Sequence, residues 1–331
     1  MNKYILEFVE KHKIKIEKVV DAVDTLMKLE PRAKIVYDVE TYSEFGVLRV
    51  PIFFENYAVQ PLLIGRKDNL TQLSKFLWNL NMSLWEEKMA DISCFGTFKK
   101  KHILNPAVAE LVKKYYKRDG KILDVGSGDG SLVDILYPEV GNNIYGCDLT
   151  ILSVTHLKKK YPKIKDKFFV RDIILDDNSQ DNSYQLIIAS MILSNIVRFE
   201  DAIKNFTRLL SKDGVLIVVD VNPYYYKALG YEYDNKLIPL HNPRSRFYTE
   251  KFISGHTKAV HSYAPFGLYR RLLQNRGMKL LGEFVYSVDR KDLLQKIGSA
   301  ELTPSLMEYF IGKSDKVVGT PPFYFVIMQK V

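Results

Sequence analysis

Ten consecutive residues constrain this 331-residue chain more than any other stretch: Lys121-Ile122-Leu123-Asp124-Val125-Gly126-Ser127-Gly128-Asp129-Gly130. A short apolar run ends in an acid, three glycines follow at alternate positions, and Leu132, Val133, Ile135 and Leu136 then recur at helical spacing. The order reads as strand, tight loop, helix. Glycines let the backbone take positive φ and let a ligand lie against the main chain with no Cβ in the way. The same turn aims the unpaired N–H groups of the next helix at that ligand.

Beyond the loop the elements alternate. Strands are expected at 143–147, 167–170, 184–189 and 215–220, with helices at 152–160 and 199–210, a pattern that folds into a doubly wound, mostly parallel α/β sheet. A helix at 105–116, with Pro106 in its first turn, leads in through the Asp119-Gly120 turn. A helix at 268–275 stopped by Gly277, a strand at 279–286, helices near 290–297 and 304–310, and a strand at 323–328 complete the unit. In such sheets ligands bind outside the carboxyl ends of the strands, where the strand order reverses. Asp148 ends the second strand and Asp172 stands just beyond the third. The first is a candidate acceptor for two ribose hydroxyls, the second for an adenine amino group.

The front of the chain reads differently. Ile16, Val19, Val20, Val23, Leu26 and Met27 predict a helix within 3–29, stopped by Pro31; strands follow at 34–38 and 46–54, and a second helix at 68–88. Residues 1–100 form a smaller mixed α/β unit, read as a support, lid or dimerisation domain, with a winged-helix module as an alternative. Residues 101–331 form the ligand-binding domain, and the polar, aromatic stretch 222–265 is long enough to cover a site above the sheet.

Composition narrows the class. With 47% hydrophobic and 26% charged residues the chain is an ordinary globular one. It lacks an apolar run of the roughly 20 residues that span a bilayer, and it lacks a signal-peptide core, so a cytoplasmic location is expected. Cys94 and Cys147 have no metal-site or redox spacing; no metal is expected, and both read as buried small side chains. The net charge of +9 admits an anionic partner, but the basic residues are scattered, and the triplets at 99–101 and 158–160 read as solvated faces.

The loop's spacing discriminates among ligands. A dinucleotide fingerprint needs glycine where Ser131 stands, and a phosphate loop needs Gly-Lys-Ser or Gly-Lys-Thr after Gly130. Asp124-x-Gly126-x-Gly128-x-Gly130 instead resembles the first motif of class I S-adenosylmethionine-dependent methyltransferases. The stretch 172–219, through Ser183-Tyr184-Gln185-Leu186-Ile187-Ile188-Ala189 and Leu209-Leu210-Ser211-Lys212-Asp213-Gly214-Val215, is similar to the middle of the small-molecule, quinone-type members. Gln185, Asn195 and Asp213 depart from that pattern, at places often held by an acid, a His, and a Pro or Gly. The resemblance implies a seven-stranded Rossmann-like sheet, S-adenosyl-L-methionine as cofactor and a small-molecule methyl acceptor. It implies Asp124 among the cofactor-binding residues, Gly126, Ser127 and Gly128 around the methionine part, Asp148 and Leu149 at the ribose, Asp172 and Ile173 at the adenine, and Ala189, Ser190 and Met191 as the floor.

His261-Ser262-Tyr263-Ala264-Pro265-Phe266-Gly267-Leu268 resembles the His-containing turn and helix that precede the sixth strand in that family. This makes His261 a candidate base for the acceptor's proton, with a structural hydrogen bond as the plainer reading. His256 and His241 are rivals in the same insertion. Two other functions stay open. Asn222-Pro223-Tyr224-Tyr225 partly resembles the Asn-Pro-Pro-Tyr element of amino-methylating DNA enzymes, so a nucleic-acid methyltransferase is one; it follows the fifth strand here and the fourth there. The other is a non-catalytic S-adenosylmethionine-binding scaffold. A homo-oligomer formed through the N-terminal domain is also open.

Overall fold

Ile5, Phe8 and Val9, at helical spacing, form the buried face of the first helix, α1 (Lys3–Lys11). The chain leaves the helix at once, with Lys13 at a left-handed φ of 53°, so the long helix expected over 3–29 is broken early. Its main periodic residues, Ile16 to Met27, lie outside the residues that this computed structural model describes: 3–14, 34–54, 57–85, 98–117, 119–175, 181–222, 232–233, 236–237, 248–253, 257–262, 267–300, 302–319 and 321–331. Strands β1 (Lys34–Ile35), β2 (Leu48–Phe54) and β3 (Tyr57–Ile64) pair antiparallel in sequence order. Helix α2 (Lys67–Trp85) contributes Leu70, Leu73 and Leu77 to one core with Tyr42, Val47 and Leu63. Strand β3 was not foreseen.

A π-helical turn, Lys100–Leu104, opens α3 (Asn105–Tyr115), after which β4 (Ile122–Val125) is buried at all four residues. Helix α4 (Ser131–Val140), β5 (Ile144–Asp148), α5 (Ile151–Lys160), β6 (Phe168–Val170), β7 (Tyr184–Ser190), α6 (Phe199–Leu209) and β8 (Leu210–Val221) follow in the expected alternation. Parallel strands covered on both faces need continuously apolar sequences, and Leu186-Ile187-Ile188-Ala189 supplies one. Two short hairpins come next, β9 (Glu232–Tyr233) with β10 (Lys236–Leu237), and β11 (Tyr248–Ile253) with β12 (Thr257–Ser262). The second extends the front sheet to the order β1-β2-β3-β11-β12, with Thr249 opposite Leu62. The stretch read as a cover over the large sheet therefore holds strands of the small one.

Helix α7 (Leu268–Gln274), β13 (Met278–Tyr286), α8 (Arg290–Gly298), α9 (Pro304–Gly319) and β14 (Phe323–Lys330) finish the chain. The large sheet runs β13-β14-β8-β7-β4-β5-β6, parallel from β8 to β6, with β14 antiparallel to both neighbours. This is the seven-stranded, mostly parallel sheet expected. Val108, Leu132, Leu157, Leu293, Ile297 and Phe310, from α3, α4, α5, α8 and α9, share a core with Ile122, Ile217 and Phe325. Ile203 and Phe206 of α6 and Tyr269 and Leu273 of α7 are buried as well. Each such side chain contributes about 1.5–3 kcal/mol on burial. The strand order reverses at β4, which has β5 on one side and β7 on the other; in open α/β sheets ligands bind beyond the carboxyl ends of the strands at such a switch point.

The described chain divides into two units. One comprises Met1–Asn81, Ser194–Arg198 and Tyr226–Pro265; the other comprises Met82–Leu193, Phe199–Tyr225 and Phe266–Val331.

Candidate functional site

Strand β4 runs into a loop in which Gly126, Gly128 and Gly130 have φ of 72°, 51° and 74°, left-handed values that glycine alone takes without strain. The N–H groups of Gly126 and Ser127 both donate to the Cys147 carbonyl of β5, at 2.8 and 3.1 Å. The Ser127 hydroxyl donates to the Asp124 carbonyl at 2.9 Å, and the Gly128 N–H donates to Asp148 Oδ2 at 3.0 Å. Asp148 Oδ1 accepts the N–H and the hydroxyl of Thr150, each at 2.9 Å, at the start of α5. The end of β5 thus shapes the loop.

Three carboxylates belong to this region. Asp124 is 3% exposed. Burial pushes its carboxyl up to about 7; Lys100 and the Ser127 hydroxyl pull the other way, while Asp148 and Asp129 add to the rise. Asp129 Oδ1 accepts from the Ser131 N–H at 3.0 Å and from the Lys100 ammonium at 3.1 Å. Burial raises the Asp129 carboxyl too, but Lys100 and Ser131 outweigh it and leave the group below its ordinary value. Burial pushes the Cys147 thiol up to about 12, so this cysteine is the inert buried side chain expected, whereas Cys94 lies outside the described residues.

Neighbouring strands supply the rest. Asp172 Oδ1 accepts the Ile174 N–H at 3.2 Å, and Asn205 of α6 donates to the Ile173 and Leu175 carbonyls at 2.8 and 2.9 Å, pinning the segment after β6. Ala189 is fully buried between Val125 and Val218, and Ser190 ends β7. Met191 follows at φ 59°, its N–H bonded to the Val219 carbonyl at 2.8 Å. A left-handed non-glycine at a central strand end is held against its preference by such bonds. Asp124, Gly126, Ser127, Gly128, Asp148 and Leu149 therefore come together at the ends of β4 and β5, with Asp172 and Ile173 beyond β6 and Ala189, Ser190 and Met191 at the end of β7.

Residues 99–281, more than half of the chain, match the model of a family described as a methyltransferase domain. The chain belongs to this methyltransferase family. It is similar to the ubiquinone/menaquinone biosynthesis C-methyltransferase UbiE of Campylobacter jejuni, 26% identical over 120 residues that make up 34% of this chain and 50% of that one. A highly reducing polyketide synthase of Penicillium polonicum is 27% identical over 126 residues, 36% of this chain and 5% of the synthase. This methyltransferase thus spans about half the length of the first relative and a small part of the second. Among solved structures, geranyl diphosphate C-methyltransferase from Streptomyces coelicolor, in complex with Mg2+, geranyl diphosphate and S-adenosyl-L-homocysteine, matches with 15% identity and a TM-score of 0.47 over 73% of this chain and 87% of that one.

The histidines depart from expectation. His261 lies in β12 rather than in a turn, 2% exposed, with Nδ1 3.3 Å from Asn195 Oδ1. His256 and His241 lie outside the described residues. Asn222 donates through Nδ2 to the Pro321 carbonyl and through its N–H to the Pro322 carbonyl, each at 2.8 Å, which ties the end of β8 to the start of β14. Sequence reasoning missed Lys100, Thr150, Asn205 and a buried pair in which Tyr269 donates to Asp220 Oδ2 at 2.8 Å. Asp220 is one more strand-end acid and was findable on that ground; Tyr269 carries no local signal. Among the described residues no group of three or more His, Cys, Asp and Glu side chains could hold a metal, and no helix is long and apolar enough to cross a membrane.

Proposed function

We propose that this chain transfers a methyl group from S-adenosyl-L-methionine to a hydroxyl, amine or carbon of a small-molecule acceptor. The observation that carries the reading is the bond between the Gly128 N–H and Asp148 Oδ2, which draws the glycine loop and the strand-end acid into one cradle at the point where the strand order reverses. The residues fit the cofactor. Gly126 and Gly128 present no Cβ, so a ligand approaches the main chain closely. A carboxylate offers about four acceptor directions, of which Gly128 and Thr150 use three at Asp148, leaving capacity for a ribose hydroxyl. Asp124, Asp129 and Asp148 suit a ligand that carries positive charge. Leu149 would flank the ribose, Asp172 and Ile173, steadied by Asn205, would receive the adenine, and Ala189, Ser190 and Met191 would form the floor.

When bound, the cofactor supplies a methyl group already activated on a sulfonium. The chain's work is to bind, to align the acceptor with the carbon–sulfur bond and to exclude water. His261, its ring held by Asn195, is our candidate for taking the acceptor's proton. The likeness to a C-methyltransferase of quinone biosynthesis supports a small-molecule acceptor. The test is calorimetric titration with S-adenosyl-L-methionine and, separately, NAD, on the wild type and Asp148→Ala. Micromolar binding of the former alone, weakened about tenfold or more by the loss of charge-assisted hydrogen bonds, is expected, followed by mass-spectrometric detection of methyl transfer to phenols, quinols and amines. Failure to bind S-adenosyl-L-methionine overturns the reading.

A further inference from the structure

The glycine loop makes one contact that a cradle does not require. Lys100 lies upstream of α3, yet its ammonium is 3.1 Å from Asp129 Oδ1. It stands on the π-helical turn Lys100–Leu104, a wide helical form that is rare and frequent at functional sites. That turn is fastened down. Ile103 and Leu104 are buried, the His102 ring stacks on Phe98 at 4.6 Å, and Phe98 packs against Phe310 of α9 at 5.1 Å. Lys296 of α8 donates to the His102 carbonyl at 2.9 Å. The two helices inserted between β13 and β14 therefore hold the turn, and the turn holds Lys100 to the loop.

Charge makes the contact consequential. The groups that act on Asp124 or are acted on by it are Ser127 and Asp129 from the loop, Asp148 and Cys147 from β5, Tyr161 after α5, and Lys100. Lys160 lies farther round, 3.3 Å from the Asp129 carbonyl with its ammonium 2.6 Å from Asp134 Oδ2. Of these, Lys100 is the cation that opposes the upward push on Asp124, and it also holds Asp129 down.

We propose that Lys100 is a positioning residue for the cofactor loop, its ammonium fixing Asp129 and the acidic side of the glycine turn so that the loop receives a cationic ligand. The inference rests on the function proposed above. Lys100 acts through the two acids and not on the reacting atoms. Without it both acids move toward protonation, and the loop loses its attraction for a sulfonium and an ammonium.

The experiment titrates the full chain with S-adenosyl-L-methionine by calorimetry between about pH 6 and about pH 9, a window that brackets the buried acid, in the wild type, Lys100→Met and Lys100→Arg. In parallel, 13C NMR of the aspartate carboxyls follows Asp124 without ligand, and thermal unfolding follows stability. Wild-type affinity is expected to fall as the pH drops through about 7. In Lys100→Met that fall, and the Asp124 titration, move upward by about 1 pH unit, the usual effect of losing one nearby opposite charge. At neutral pH the variant then binds several-fold more weakly, and in base it matches the wild type. Lys100→Arg keeps the wild-type midpoint. A lowered Tm with both midpoints unmoved, or one profile shared by all three proteins, overturns the inference and leaves the function standing. A wild type that binds no S-adenosyl-L-methionine at any pH overturns the function and the inference with it.

Discussion

The loop fits closely against β5, and Gly146→Ala probes that fit. A Cβ at Gly146 would lie 2.6 Å from Ser127 Oγ and 2.8 and 3.0 Å from Cδ1 and Cε1 of Phe168. Ordinary contact begins at 3.4 Å, so the hydroxyl must withdraw by about 0.8 Å while Phe168, 1% exposed, has nowhere to turn. Withdrawal breaks the bond from Ser127 to the Asp124 carbonyl, worth about 0.5–1.5 kcal/mol, and the crowding of Phe168 adds about 1–3 kcal/mol. Together the loss is about 2–4 kcal/mol, a fall in Tm of roughly 5–15 °C for a domain of this size.

Gly141→Ala is the control, because its Cβ would meet nothing within 4 Å and only its backbone, at φ 56° and ψ −136°, is penalised, at about 1–3 kcal/mol for a conformation that is essentially glycine's. The double variant Gly146→Ala with Ser127→Ala sharpens the test. Removing the hydroxyl vacates the nearest contact, so the pair should lose about 1 kcal/mol less than the two single losses added together. Thermal unfolding of the wild type, Gly146→Ala, Ser127→Ala, the double variant and the Gly141→Ala control decides it. Additive losses, or a Gly146→Ala protein as stable as the wild type, would refute the argument that β5 and the loop are fitted atom against atom.

Two further outcomes follow from the same geometry. Asp124 has its folded pKa raised from 3.8 to about 7, so the folded state binds a proton that the unfolded state has already released; stability from this group is complete below the lower value and is lost as pH rises to the upper one. Asp124→Asn should therefore unfold at the same temperature as the wild type only below pH 3.8, and at an increasingly higher one as the pH rises to about 7 and beyond, and parallel Tm-against-pH curves would count against the buried acid. Gly312, inside α9 with open space around its Cβ position, should accept alanine with a gain of about 0.5–1 kcal/mol; a lowered Tm would show that α9 does not need an ordinary helical residue there.

What could be read from the sequence was information that is local in the chain. Buried parallel strands advertise themselves as unbroken apolar runs, which is why β4, β7 and β14 stood out, and alternate glycines after an acid mark a sharp strand-to-helix turn wherever they occur. Strands β11 and β12 gave no such sign. They complete a sheet begun by β1 to β3, far earlier in the chain, and a strand whose partner is distant leaves little local mark beyond β-propensity, which a polar, aromatic stretch obscures. For the same reason His261, which precedes a turn and a helix in the sequence, sits in a strand against Asn195.

Lys100 shows a second kind of illegibility. It belongs to Lys99-Lys100-Lys101, which in any α-helical or extended reading is three solvated charges. A π-helical turn has no propensity signature of its own, and its extra residue per turn rotates the preceding side chains relative to the helix that follows. That rotation separates otherwise equivalent lysines, and it is Lys100 whose ammonium meets Asp129. The packing that imposes the turn, Phe98 on Phe310 and Lys296 on the His102 carbonyl, joins residues nearly two hundred or more positions apart. A substitution in α8 or α9 can therefore alter the glycine loop without touching it, an effect that the loop's own residues do not foretell.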